Sequence, residues 1–476
     1  MSPRDSVFID GAWRAPVDGR PHDVIDPATE EVAATIQLAS EADVDAAVAA
    51  ARAAFDGFAA WTPDQRADLL GRIVAEYDAR TDALVDAVIT EMGAPEGFAR
   101  KVQITNARER FERAAMLARS YPFSEKVGTS LVVREPIGVC AFITPWNWPL
   151  NQAASKLAYS LAAGCTSVWK PSEVSPLSAI ILTEAMEAAG VPAGVINLIQ
   201  GDGPTVGAAM ARHPGVDMVS FTGSTRAGIA VAHAAAETVK RVHQELGGKS
   251  PNILLPDADF ETAVTAGTKQ TFRNTGQSCQ APTRMLVPRE RMAEVSEIAR
   301  RAAESMRVGP PRAEGTELGP LVSAEQWDKV QGLIQKGIDE GATLVCGGLG
   351  RPDGLNTGYY ARPTVFADVT NDMTIAREEI FGPVLSILGY DSEAEAIEIA
   401  NNTIYGLAAY ISSPDLDRAR ALAGKLRAGR VYLNNAPARG DVPFGGYKQS
   451  GNGREQGVHG LEDFTELKAV LGYEAA

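Results

Sequence analysis

Gly138-Val-Cys-Ala-Phe-Ile143 leads into the turn Thr144-Pro-Trp-Asn-Trp-Pro149, a helical run from Gln152 to Ala163, and then Thr166-Ser-Val-Trp169. Two short, uncharged, apolar runs on either side of a helix-length segment read as strand, helix, strand, and strands joined this way lie parallel. The alternation continues downstream with a helix from Ser178 to Ala189, the strand Val195-Ile-Asn-Leu-Ile199 and a helix from Thr205 to Arg212. The strand Met218-Val-Ser-Phe221 and a helix opening near Ser224 follow. A second set starts after Gly247: Asn252-Ile-Leu-Leu255, a helix from Phe260 to Phe272, Arg284-Met-Leu-Val287 and a helix through Met306. Gly341-Ala-Thr-Leu-Val345 and Val431-Tyr-Leu-Asn434 repeat the pattern. Two doubly wound parallel sheets of an α/β fold are expected.

Upstream of Gly138 the texture differs. Val7-Phe-Ile-Asp10 is a short strand candidate, and Ser40 caps a helix whose apolar residues Val44, Val48, Ala51, Phe55 and Phe58 recur at helical spacing. A second helical run extends from Gln65 towards Thr90, and Gly309 to Pro320 reads as a surface loop.

A length of 476 residues exceeds one simple core and predicts two or three domains. The net charge of −15 argues against nucleic acid or an anionic membrane surface as partner. The uncharged stretch from Pro136 to Ser155 imitates a membrane span. Its prolines (Pro136, Pro145, Pro149) and amides (Asn147, Asn151, Gln152) exclude a lipid-facing helix. The cysteines Cys140, Cys165, Cys279 and Cys346 are far apart, and the N-terminal residues lack an apolar leader core, so a reduced cytoplasm is expected. No metal site is expected, because the histidines show no ligand-like spacing.

The chemistry-bearing residues fall in short fragments. Cys279 stands in Asn274-Thr-Gly-Gln-Ser-Cys279, and Glu245 in Glu245-Leu-Gly-Gly-Lys-Ser-Pro251. A thiol and a carboxylate, each beside glycines and between apolar segments, suggest a covalent nucleophile and a base that activates water. Asn147, wedged between two tryptophans and two prolines, has an amide able to donate to an oxyanion. Phe221-Thr-Gly-Ser-Thr-Arg-Ala-Gly228 runs a strand into a helix through small residues, which suits a diphosphate at the helix N-terminus.

With Trp169-Lys170-Pro-Ser-Glu173 added, the fragments Pro145 to Pro149, Glu245 to Pro251 and Asn274 to Cys279 closely resemble the NAD(P)-dependent aldehyde dehydrogenases, of the bacterial, non-acylating type. The resemblance runs from about Phe8 to Lys468. It implies a dinucleotide-binding domain (1–119 and 136–247), a catalytic domain (248–447) and a small β oligomerisation element (120–135 and 460–476). That element combines an inserted hairpin with the C-terminal strand and implies a homodimer or homotetramer. The implied catalytic residues are Cys279, Glu245 and Asn147. Those implied to surround the cofactor are Ile143, Thr144, Trp146, Lys170, Glu173, Gly203, Phe221, Thr222, Gly223, Ser224, Leu246, Glu379 and Phe381. Lys170 and Glu173 resemble the pair that holds the adenosine ribose; a carboxylate there accepts a 2′-hydroxyl and repels a 2′-phosphate, which favours NAD and leaves NADP possible. The substrate is a small-molecule aldehyde.

Trp148, Gln280 and Arg439 are the substrate-channel candidates. Gln280 is a large polar residue directly after the nucleophile, and the loop Asn434 to Pro443 holds no aromatic residue. Arg439 has two readings, an anchor for an anionic substrate group or a rim partner of Asp441. Two rival functions are a cysteine hydrolase with His243 as base and a non-catalytic scaffold.

Overall fold

The computed structural model describes residues 2–474; positions 1, 475 and 476, included in the expected domain ranges, lie outside the described residues. The strand Val139–Ile143 pairs in parallel with Thr166–Lys170 on one side and Met218–Thr222 on the other. Thr166–Lys170 then pairs with Ile196–Leu198, and Met218–Thr222 with Arg241–Glu245, again in parallel. The chain therefore winds outward in one direction, then resumes on the far side of Val139–Ile143. Every residue of the three central strands is buried, as helices on both faces require. Antiparallel strands close the edges: Val7–Ile9 meets Ile196–Leu198, and Gly451–Asn452 meets Arg241–Glu245. The chain beyond 447 thus returns to the first sheet.

The second sheet has the order Thr343–Cys346, Thr364–Ala367, Val384–Tyr390, Arg284–Pro288, Pro251–Leu254, Ala408–Ser412, Arg430–Leu433. All neighbours are parallel except the first pair. The stretch around Gly341 to Val345 thus forms an antiparallel edge, because the connection from Cys346 to Thr364 contains no crossover helix. A third sheet joins the hairpin Ser124–Val127 and Ser130–Pro136 to Thr465–Val470.

The expected helical run from Gln65 is two helices, Pro63–Ala79 and Thr81–Met92. Arg80 leaves helical geometry between them, its guanidinium turned back to the Glu76 carbonyl at 3.0 Å. Ser40 caps the helix Glu41–Ala59 in a reciprocal box with Asp43. Among the described residues no helix is long and apolar enough to cross a membrane.

Candidate active site

Ligands of doubly wound sheets lie beyond the carboxyl ends of the strands, where the winding direction switches. Here that point falls between Val139–Ile143 and Met218–Thr222. A cavity occupies it, lined from the first strand by Trp146 and Asn147, from the second by Thr222, Gly223 and Ser224, and from the next by Leu246 and Gly247. Glu379, Phe381 and Cys279 line it from the opposite side. Ile143 and Phe221 are buried at the ends of their strands. Thr144 is buried too, its hydroxyl accepting from Trp169 Nε1 at 2.9 Å. Ser224 caps the helix Thr225–Ala235, accepting from the Ala227 N–H.

Lys170 and Glu173 lie one strand further out. Lys170 Nζ donates to the carbonyls of Pro171 (2.8 Å) and Gly201 (2.7 Å) and pairs with Glu173 at 3.1 Å. Gly203 follows the next strand. A Cβ there would meet no protein atom within 4 Å, so nothing in the chain itself demands glycine.

The loop carrying Cys279 follows the helix Phe260–Phe272 and turns through three consecutive left-handed residues, Asn274, Thr275 and Gly276, with φ of 58°, 55° and 74°. A Cβ on Gly276 would stand 2.0 Å from the Gly382 carbonyl oxygen. Glycine here lets the loop press against the segment that carries Glu379 and Phe381. Buried amides then fix the loop. Asn274 Nδ2 donates to the Asn147 carbonyl (2.9 Å) and the Gln277 carbonyl (3.1 Å), and Gln103 Nε2 donates to Asn274 Oδ1 (3.1 Å). Gln277 Oε1 accepts from the Val322 N–H at 3.0 Å. Asn147 Nδ2 donates to the Gln277 carbonyl at 2.9 Å. An amide carries two N–H groups, and this bond uses one of them.

Half-buried Cys279 also lines a second cavity, on its other side, with Trp148, Gln280 and Arg439. Trp148 Nε1 donates to Ser278 Oγ at 3.0 Å. Gln280 is held by two tyrosines stacked at 4.7 Å: Tyr410 donates to its carbonyl (3.0 Å) and Tyr432 to its Oε1 (3.2 Å). Arg439 is largely exposed and pairs with Asp441 at the rim. Arg110 and Arg273 line the same cavity. Arg110 Nε donates to Asn151 Oδ1 at 3.3 Å, and burial pulls its pKa down.

Three carboxylates act on the thiol. Burial, then the carboxylates of Glu379, Glu245 and Glu455, push the Cys279 pKa far above the usual thiol value. Glu379 is itself raised by burial, although Oε1 accepts from the Gly248 N–H at 2.9 Å. Glu245 closes the strand Arg241–Glu245 and is 2% exposed. Neither of its oxygens is hydrogen-bonded among the described residues. Burial raises its pKa to about 7. His243 Nε2 lies 3.5 Å from Glu245 Oε1, and His243 Nδ1 contacts Asp463. The hydrolase reading needs His243 at the thiol; it sits between two carboxylates.

Sequence reading passed over Lys156, Glu455, Gln152 and Arg110. Lys156 pairs with Glu455 at 2.5 Å and donates to Thr222 Oγ1 at 2.7 Å, fully buried. A lone lysine in an apolar helix was a signal that a buried partner exists. The partner itself is far away in sequence and carries no local signal. Gln152 borders both cavities.

A family model described as the aldehyde dehydrogenase family matches residues 13–470. The chain is 54% identical over 470 residues to a 3-succinoylsemialdehyde-pyridine dehydrogenase from a Pseudomonas species, with 98% of each chain covered. A crystal structure of a mutant aldehyde dehydrogenase C from Pseudomonas syringae, complexed with NAD+ and octanal, is 53% identical. It superposes with a TM-score of 0.99 over 100% of this chain and 98% of that one. The NAD+ complex of a Bacillus cereus aldehyde dehydrogenase is 39% identical, with a TM-score of 0.95 over 98% and 96% of the two chains. Agreement over nearly the full length, in sequence and in fold, makes this chain a member of the aldehyde dehydrogenase family.

Proposed function

We propose that this enzyme oxidises its aldehyde to the carboxylic acid by covalent catalysis at Cys279, with NAD as hydride acceptor and with water activated by Glu245. Aldehyde oxidation itself follows from family membership. The observation that carries the mechanism is the position of Cys279 where two cavities meet, one at the sheet's switch point and one reaching the rim. A thiol so placed touches an aldehyde from one side and a dinucleotide from the other.

Residues around the switch-point cavity suit NAD: small residues at a helix N-terminus for the diphosphate, Lys170 and Glu173 for the adenosine ribose, and Glu379 for the nicotinamide ribose. NAD, when bound, would supply the acceptor for a hydride leaving the aldehyde carbon. The Cys279 thiol loses its proton to solvent, Sγ adds to that carbon, and the oxygen, now an anion, rests on the Asn147 amide and the Cys279 backbone N–H. Loss of the hydride leaves a thioester on Cys279. Glu245 then takes a proton from water, hydroxide adds to the thioester carbon, and the thiolate departs from the acid product. A 2′-phosphate beside Glu173 would meet a like charge, so NAD is preferred over NADP.

The test is absorbance at 340 nm with NAD or NADP over aliphatic, aromatic and ω-carboxylated aldehydes. NADH formation abolished by Cys279→Ala supports the reading; turnover without NAD or NADP, or turnover surviving that change, refutes it. Asn147→Ala is expected to lower kcat about 100-fold, the effect of losing one oxyanion donor worth about 3 kcal/mol, with NAD affinity retained. Unchanged kcat would dismiss the oxyanion role.

The channel is lined by Arg110, Arg273, Arg430 and Arg439 against Glu109 and Glu455, with the amides of Asn151 and Gln280, and this excess of cations supports an aldehyde whose tail carries a carboxylate or another acceptor. Arg110→Ala is expected to raise KM for succinic semialdehyde about 10-fold, the loss of one charge-assisted hydrogen bond, and to leave hexanal nearly unaffected. Arg439, already paired with Asp441, should matter equally to both; equal effects of Arg110→Ala on both aldehydes would dismiss the anionic tail.

The third sheet supports a homodimer or homotetramer. Its edge strand Ser124–Val127 is wholly exposed, as are the apolar residues Val127, Leu467 and Leu471. The four cysteines are free thiols, which supports a cytoplasmic location.

A further inference from the structure

Glu245 poses an electrostatic problem. A base must be ionised, yet this carboxylate is buried with no hydrogen-bond donor among the described residues. Removing a carboxylate from water favours its neutral form unless a positive charge lies within about 4–6 Å. The groups facing it are few. Glu455 adds a negative charge, and Lys156, on the helix Pro149–Ala163, favours the ionised form by a smaller share, because it is paired with Glu455. The Arg454 guanidinium is directed to the carbonyls of Gly446 and Gly453. Cys279 is uncharged as a thiol. From its own strand, two residues back and on the same face, comes His243, with Nε2 at 3.5 Å.

His243 is itself held from behind. Its Nδ1 contacts Asp463, whose Oδ2 also accepts from the Arg454 N–H at 3.2 Å. A Cβ on Gly453 would stand 2.8 Å from both the imidazole and the Asp463 carboxylate, so a glycine makes room for the pair. Each imidazole nitrogen thus faces a carboxylate oxygen, Nδ1 that of Asp463 and Nε2 that of Glu245.

We propose that His243, clamped by Asp463, is a positioning residue for the hydrolytic step, its imidazolium keeping Glu245 ionised inside a site whose burial opposes that charge. This rests on Glu245 being the base. Burial alone would lower the His243 pKa, but Asp463 and Glu245 override it and raise it to about 9. Glu245 titrates near 7, so His243 is a cation throughout that range.

The experiment measures kcat against pH from 5.5 to 9.5 for the wild type, His243→Ala, His243→Gln and Asp463→Asn, with saturating NAD and aldehyde. In His243→Ala the acid limb should move up by about one pH unit, the lower end of the effect of one nearby opposite charge. At pH 6.5 the rate should then fall about 10-fold, while at pH 9 it stays within about twofold of wild type, with both KM values unchanged. His243→Gln, polar but neutral, should follow His243→Ala. Asp463→Asn should shift the limb the same way by less. An unmoved limb, or an equal loss at every pH accompanied by a lower Tm, would overturn the proposal and leave His243 a packing residue. Failure of the underlying reading looks different: Glu245→Gln would then keep both turnover and the acid limb.

Discussion

Cys279→Ala is expected to reduce NADH formation from every aldehyde to background, a loss of at least about 10⁴-fold, while NAD still binds. Alanine removes the sulfur without disturbing what positions it. The Asn274, Gln277 and Asn147 amides hold the loop through backbone carbonyls and one another, and none of these bonds involves the thiol. Calorimetry should therefore return wild-type NAD affinity in the dead enzyme. Residual turnover above about 1% would exclude the thiol as nucleophile. The same variant removes the only route to a thioester, so mass spectrometry should find no aldehyde-derived adduct.

Glu245→Gln should separate the two halves of the reaction. The thiol can still attack and hydride can still leave, so one equivalent of NADH per active site is expected in a burst. Hydrolysis then stalls, and the steady rate falls by about 10²–10⁴, the usual contribution of a general base. Mass spectrometry should find the acyl group on Cys279. In the wild type the acid limb of kcat should lie near pH 7, where burial sets the Glu245 carboxyl. The sign follows from the required form: below that pH the carboxyl is protonated and the rate drops about 10-fold per unit, above it the rate reaches a plateau. Glu245→Gln should lose the limb with the rate. A burst absent from this variant would place Glu245 before the thioester, as the group that deprotonates Cys279. That alternative has a basis in the site, because burial and the nearby carboxylates hold the thiol protonated.

Strand and helix order was legible because burial on both faces leaves a local trace: Val139–Ile143, Thr166–Lys170 and Met218–Thr222 are short runs without interior acids, separated by helix-length segments. The fragments holding Cys279, Glu245 and Asn147 stand out in the sequence because each has a distinctive local composition beside glycine, proline or tryptophan. Thr343–Cys346 misled because strand direction is set by the connection and not by the strand's own residues. The split between Ala79 and Thr81 was invisible because apolar spacing runs on across it. Gln277, the residue before Ser278 in the Cys279 fragment, closes a buried amide network that reaches Val322.

By itself the sequence determined the α/β class and the family, since these depend on local patterning and on residues contiguous in the chain. Only the tertiary structure decided what surrounds the reacting groups. It brings Glu455 to Lys156, Asp463 to His243, and Arg110 and Arg430 to the cavity beside Cys279. Protonation at this site depends on burial and on charges a few ångströms away. Those distances arise only when strands distant in sequence pair and their ends converge.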